Sequence, residues 1–316
     1  MYRCILAPLD GTEAGERALP LASRIAERSG AVLHLVHVQL PLAVPRGVDA
    51  GALAALGDEI MTAPEPGYLE TLGHLLRGTR GVKVVEAILQ GPVAPTLEKY
   101  ASDCGMSLVV MSMHEHSQPG RLRGSGVAEH VTRSLRIPVL LARPGSQKRV
   151  KPDPPGTDLH HFLLPVDGSE NCDRMVEHAT MLGALFDARY TLIRVIEHSS
   201  AGDSAPSTFR EAEEYLEVIA GPLRDRGLEV STRVIFADRP SEGIMAVATD
   251  CDVPGLPIDC IAMSSRPQSN LSHLLGSHTV ESVIRDTPLT MLLFEPDAQP
   301  ALETLAVPGL SVGRHG

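Results

Sequence analysis

The chain has 316 residues, 43% of them hydrophobic, which suits two globular domains of about 150 residues and excludes a disordered polypeptide. Aromatic residues make up only 3% and tryptophan is absent, so the cores are aliphatic and a base-stacking surface for single strands is not expected. Basic residues number 28 against 39 acidic ones; the net charge of -11 disfavours nucleic acid and anionic membrane as partners.

The first apolar run, Cys4 to Leu9, reads as a buried strand that ends in the turn Asp10-Gly11-Thr12. Thr12 is placed to cap a helix over 13–29, with Pro20 expected to kink it and Gly30 to end it. A second strand covers 31–38. Residues 39–66 are rich in Pro, Gly and Ala, with a short helical pattern near 50–60. Then come a helix from Tyr68 to Arg77, a strand over 82–89, a helix over 94–102 and a strand over 107–111. A polar loop leads to Gly124-Ser125, a helix over 127–135 and a fifth strand over 139–142. Strand and helix alternate, which predicts a parallel, doubly wound α/β sheet.

Residues 144–160 hold four prolines and mixed charge and read as a linker. The second unit then repeats the first. It has strands over 162–166, 190–196, 229–236, 259–263 and 289–294, and helices over 170–186, 209–226 and 241–249. Asp167-Gly168-Ser169 stands where Asp10-Gly11-Thr12 stands in the first unit. From Met111 to Arg133 the units align without a gap onto Met263 to Arg285, at a constant shift of 152 residues. Residues 297–316 are polar, carry Pro and Gly and lack periodicity, and are expected to be disordered. The expected domains are therefore 1–143 and 161–296.

The five cysteines, Cys4, Cys104, Cys172, Cys251 and Cys260, form no CxxC pair. The start MYRCILAPLDG lacks a basic-then-apolar signal pattern, and no apolar run reaches the roughly 18 residues that span a membrane. A cytoplasmic protein with reduced thiols is expected. The sequence contains no GxSxG, Walker A or HExxH pattern. His114-Glu115-His116 suggests metal, but histidines two apart on a strand point to opposite sides, and a solvated loop is the expectation.

The strand ends PLDGT and PVDGS, the strands VVMS and IAMS, the Gly-Ser pairs and the closing strands after Pro138 and Pro288 together resemble the universal stress protein family. The resemblance covers both halves and implies a tandem of two Rossmann-like, adenine-nucleotide-alpha-hydrolase-like domains. Each would have a five-stranded parallel sheet between helices, and the two would pair through the last strand as an intramolecular pseudo-dimer. Stress response, a homodimer of chains and a regulatory protein partner follow from the resemblance alone.

Members that bind ATP carry G-x-x-G, then nine residues, then Gly followed by Ser or Thr. The glycines admit the phosphates to the backbone, and the later pair sits at a helix N-terminus. The resemblance gives the nucleoside to Asp10 and Asp167 and to backbone at Val38 and Ile196. It gives the phosphates to Ser112, Gly124 and Ser125 in the first half and to Ser264, Arg266, Gly276 and Ser277 in the second. Here the pattern is broken. Ser112-Met113-His114-Glu115 and Ser264-Ser265-Arg266-Pro267 replace G-x-x-G, and each Gly-Ser comes one residue early. Glu115 brings a negative charge and Pro267 removes an amide donor; Arg266, and Arg121 with Arg123, offer partial compensation.

The residues also have plainer roles. Asp10 and Asp167 can form Asp-Gly turns, and Ser125 and Ser277 can cap helices. The expectation is a non-enzymatic binding or regulatory module with weak or absent ATP binding and no resident metal. Two alternatives stand beside it: a genuine, slowly hydrolysing binder of ATP with Mg, and a thiol sensor acting through Cys104 or Cys251.

Overall fold

A single ten-stranded sheet organises the computed structural model, in the order β3-β2-β1-β4-β5-β10-β9-β6-β7-β8. The structure describes residues 2–39, 67–113, 131–132, 135–143, 158–198, 205–249, 257–264 and 277–295. The first five strands are β1 (Cys4–Pro8), β2 (Val32–Gln39), β3 (Val84–Gln90), β4 (Leu108–Ser112) and β5 (Val139–Ala142). The second five are β6 (His161–Pro165), β7 (Arg189–Glu197), β8 (Val230–Ala237), β9 (Cys260–Ser264) and β10 (Thr290–Phe294). Within each half every pairing is parallel. The halves meet where β5 and β10 pair antiparallel.

Helices bounded within the described residues are α1 (Glu13–Glu16), α2 (Leu19–Ser29), α3 (Tyr68–Arg80), α4 (Val93–Asp103), α5 (Glu170–Gly183), α6 (Ala205–Asp225), α7 (Pro240–Thr249) and α8 (Ser277–Asp286). The expected kinked helix over 13–29 is two helices. Thr12 caps α1, its hydroxyl accepting from Gly15 N at 3.0 Å. Pro20 falls in the first turn of α2, where its missing N–H leaves no bond unmade. Gly30 ends α2 at φ +70, a left-handed cap that glycine adopts without strain. The helical pattern near 50–60, most of the helix over 127–135, the linker to 157, His114–His116 and the tail 297–316 lie outside the described residues.

Period-two alternation sends side chains to two cores, and both run unbroken through the junction. On one face Ile5, Leu33, Leu35, Leu140, Leu292, Phe162 and Leu192 pack beneath α2, α3, α5 and α6. On the other Leu6, Val36, Val139, Leu141, Met291, Leu293, Leu163 and Ile193 pack beneath α4, α7 and α8. Polar ties add to the seam. Asp158 accepts from Arg24 Nε at 2.9 Å and from Arg28 Nη2 at 3.0 Å, both on α2 of the first half. Arg28 also donates to the Leu185 carbonyl at 2.6 Å and lies 4.9 Å over the Phe186 ring. Across the other face, Arg143 donates to the Ile284 carbonyl. The end of the expected linker is thus docked, with Leu159 in the core.

Candidate functional site

The first strand of each half lies between two neighbours that continue in opposite directions: β1 between β2 and β4, β6 between β7 and β9. At such a switch point the chain leaves the carboxyl ends of adjacent strands on opposite faces and opens a crevice. In the second half the crevice is a cleft of about 470 Å³. Asp167, Ile196 and Ser264, three of the residues expected there, all line it. Gly124, Ser125, Arg266 and Gly276 lie outside the described residues. The helix α8 begins at Ser277.

In the first half Asp10 follows β1, Val38 is the penultimate residue of β2 beside Leu89, and Ser112 ends β4 beside Ala142. The register corrects one pairing of expectations. Leu6 faces His34 and Leu163 faces Thr191, an offset of 157 residues. Val38 therefore corresponds to Val195, and Ile196 stands one residue further along; both line the second cleft.

Each aspartate is fixed by its own turn. Gly11 and Gly168 hold φ of +84 and +88, which a side chain would strain. Asp10 Oδ1 accepts from Thr12 N at 2.9 Å and Thr12 Oγ1 at 2.6 Å. Asp167 Oδ1 accepts from Ser169 N at 3.0 Å and Ser169 Oγ at 2.6 Å, and from a third donor, the Cys172 thiol, at 3.0 Å. By the same offset Cys172 occupies the place of Gly15. At Gly15 an added Cβ would sit 2.4 Å from Asp10 Oδ1, so the first half keeps that space for its aspartate. Cys172 is 4% exposed; burial and the neighbouring Asp167 push its thiol pKa up.

A second divergence lies on the middle strand. His37 Nδ1 donates to the Leu9 carbonyl at 2.8 Å and is buried. Its counterpart Arg194 makes the equivalent bond to the Val166 carbonyl at 3.3 Å, and its guanidinium lies 5.6 Å from the Tyr215 ring centre. A tyrosine approaches both aspartates. Arg77 and Arg224 bond the carbonyls of Val84 and Val230 at 3.0 and 2.9 Å, which aligns α3 with α6 and Tyr68 with Tyr215. Burial first, then neighbouring Cys172, Asp173 and Asp167, push the Tyr215 phenol up to about 12; burial and then Glu16 and Asp10 raise Tyr68. Sequence reasoning passed over Cys172, Arg194 and Tyr215. The arginine inside the apolar strand YTLIRVI was a usable signal.

The family model for the universal stress protein family matches residues 1–143 and again 159–295. The chain belongs to the universal stress protein family. A universal stress protein from Archaeoglobus fulgidus DSM 4304 covers 93% of this chain and 98% of its own, at 20% identity and a TM-score of 0.64. A putative universal stress protein from Pseudomonas aeruginosa UCBPP-PA14 covers 94% of each, at 17% identity and a TM-score of 0.63. These likenesses establish the fold. No curated protein matches the chain at a significant level. Among the described residues of this universal stress protein, no group of three or more His, Cys, Asp or Glu is placed to hold a metal ion. No described helix is long and apolar enough to cross a membrane.

The described lining of the second cleft sets Asp167, Glu197 and Glu211 against one guanidinium, Arg194.

Proposed function

We propose that this universal stress protein is a cytoplasmic, non-catalytic binding module. It takes a small ligand at the switch-point clefts and binds ATP weakly or not at all. Its output is regulatory, through a protein partner that responds to the liganded state.

The observation that carries the reading is the state of Asp167. Its Oδ1 accepts from Ser169 N, Ser169 Oγ and Cys172 Sγ. A carboxylate so engaged is held as a fixed recognition group and is poorly placed to take up a proton in turnover. Burial, then the hydrogen bond to Asp167, disfavours the thiolate of the adjacent Cys172, which speaks against a nucleophilic role.

The test is to purify the full chain without added nucleotide, denature it and resolve the supernatant by anion exchange, then assay ATP turnover. The expected outcome is no stoichiometric ATP or ADP and no phosphate release above a protein-free blank. Phosphate release that is lost on Asp10→Ala or Asp167→Ala would overturn the non-catalytic reading.

A further inference from the structure

At the amino ends of the first-half strands, opposite the crevice, two cysteines gather about a tyrosine and a histidine. We propose that Cys4 and Cys104 form a reversible disulfide when the chain meets hydrogen peroxide. This modification site is independent of any ligand at the carboxyl ends of the strands.

The backbone brings both cysteines to one corner. The helix α4 ends at Cys104, and Gly105, at φ +60, turns the chain back, with Met106 N donating to the Ala101 carbonyl at 2.9 Å. Three residues after Cys104, Ser107 N and Ser107 Oγ donate to the Cys4 carbonyl at 2.9 and 2.8 Å. Cys4 alternates with Leu6 along β1, and it packs against the same core as Tyr100 of α4. Cys104 stands one helical turn beyond Tyr100, its N–H donating to the Tyr100 carbonyl at 3.0 Å. The Tyr100 hydroxyl has both thiols as neighbours: Cys104 is hydrogen-bonded to it, and Cys4 adds to the burial that pushes the phenol up to about 12. From two sulfurs about one hydroxyl, a disulfide closes by rotation of the side chains.

The proton has a path. His34 Nδ1 lies 2.9 Å from the Tyr100 hydroxyl, with the rings edge to face. Burial lowers the His34 pKa, which keeps the imidazole neutral at pH 7 and leaves Nδ1 to accept from the phenol. The phenolic oxygen in turn accepts from the Cys104 thiol. Lys99 and Asp103 pair with each other at 2.8 Å, so Asp103 brings no uncompensated charge to Cys104. Cys104 is exposed and Cys4 half-buried, so peroxide meets Cys104 first. The Cys104 sulfur attacks the O–O bond, takes one oxygen as a sulfenic acid and releases water. Cys4 then attacks that sulfur; the S–S bond forms, the S–O bond breaks and a second water leaves. Two thiols are oxidised and one peroxide is reduced to two waters.

The second half lacks the pair. Its register puts His161 at the place of Cys4 and Thr191 at that of His34, and those two bond to each other at 2.8 Å. Cys251, the sequence counterpart of Cys104, thus has no cysteine at the matching strand position.

The test treats the reduced full chain with hydrogen peroxide, alkylates the remaining thiols and maps the peptides without reductant. A Cys4–Cys104 linkage within one chain is expected, with the loss of two hydrogens and full reversal by dithiothreitol. Cys4→Ser should leave Cys104 as a sulfenic acid that dimedone traps. Tyr100→Phe should slow the linkage at least about tenfold at pH 7, and the difference should vanish near pH 10, where bulk solvent ionises the thiol. A merely structural role for the phenol would slow both alike. Cys104 that over-oxidises or pairs with another cysteine or a second chain while Cys4 stays alkylatable overturns the proposal, as does failure of both thiols to react.

Discussion

Leu140 and Leu292 face each other directly across the antiparallel pairing of β5 and β10. The 152-residue offset makes them equivalents, and the neighbours follow suit: Val139 opposes Leu293 and Leu141 opposes Met291. The pseudo-two-fold axis therefore passes between these two leucines. Both are fully buried, and both lie in the core shared by the two halves.

A charge at this point should break the shared core. Leu292→Asp is expected to cost at least about 3 kcal/mol, because a carboxylate is buried with no partner. Val218→Asp, at a side chain 73% exposed on α6, should change stability by no more than about 0.5 kcal/mol. Urea unfolding of the two variants beside the parent checks both, and equal losses would argue against a continuous core.

The tie at Asp158 carries a pH dependence of definite sign. Hydrogen bonding to Arg24 first, then the charge of Arg28, holds its carboxyl below the usual carboxylate range. A depressed folded-state pKa gives stability that is present above the unfolded value of about 3.9 and lost as pH falls through the folded value. Asp158→Asn should lower the Tm by about 2–4 °C at pH 7, from a loss of about 1 kcal/mol. The gap between parent and variant should narrow as pH falls below the unfolded value and close once the folded-state carboxyl is protonated. A gap independent of pH would place the effect elsewhere.

Gly15 and Cys172 make opposite predictions at one structural position. Gly15→Ala brings a methyl group against Asp10 Oδ1 and should cost about 1–3 kcal/mol, with displacement of the turn. Cys172→Ala removes one donor from Asp167, leaves the turn bonds of Ser169 in place, and should cost about 1 kcal/mol. Thermal melts order the two, and a larger loss at Cys172 would contradict the geometry.

Thiol chemistry separates the cysteines by burial. Cys104 is exposed, whereas Cys172 and Cys260 are buried with thiols pushed upward, chiefly by desolvation. Iodoacetamide at pH 8 should label Cys104 in the native chain and reach Cys172 and Cys260 only on denaturation. Peptide mass mapping reads the result. Rapid native labelling of Cys172 would contradict the burial of its thiol.

The strands were legible because their apolar runs alternate with turn residues, and their observed limits fall within about two residues of the expected ones. The α2 boundary was less so: Pro20 signalled a disturbance, but only the fold shows it opening a second helix. The aspartates were found from the repeated Asp-Gly turn. Cys172, Arg194 and Tyr215 were not, because the long gapless block has an offset of 152 and the match at 157 covers only the three residues of the Asp-Gly turn. The strands β1 and β6 correspond at 157, and α3 and α6 at 147. Loops of unequal length hide such correspondences until hydrogen bonds fix the register.

A seam that pairs each half with its own equivalent is the kind two separate identical subunits would make. In such an assembly every substitution enters both subunits at once, and pairing depends on concentration. One chain carrying both halves removes each constraint. The partners are held together at a high effective concentration, and their stoichiometry is fixed at one to one. A change at one turn then leaves the other untouched, which is how Gly15 can keep its space while Cys172 fills it, and how His37 can stay where Arg194 has replaced it. The molecule is in effect an obligate heterodimer encoded by one chain, with two halves that can differentiate independently.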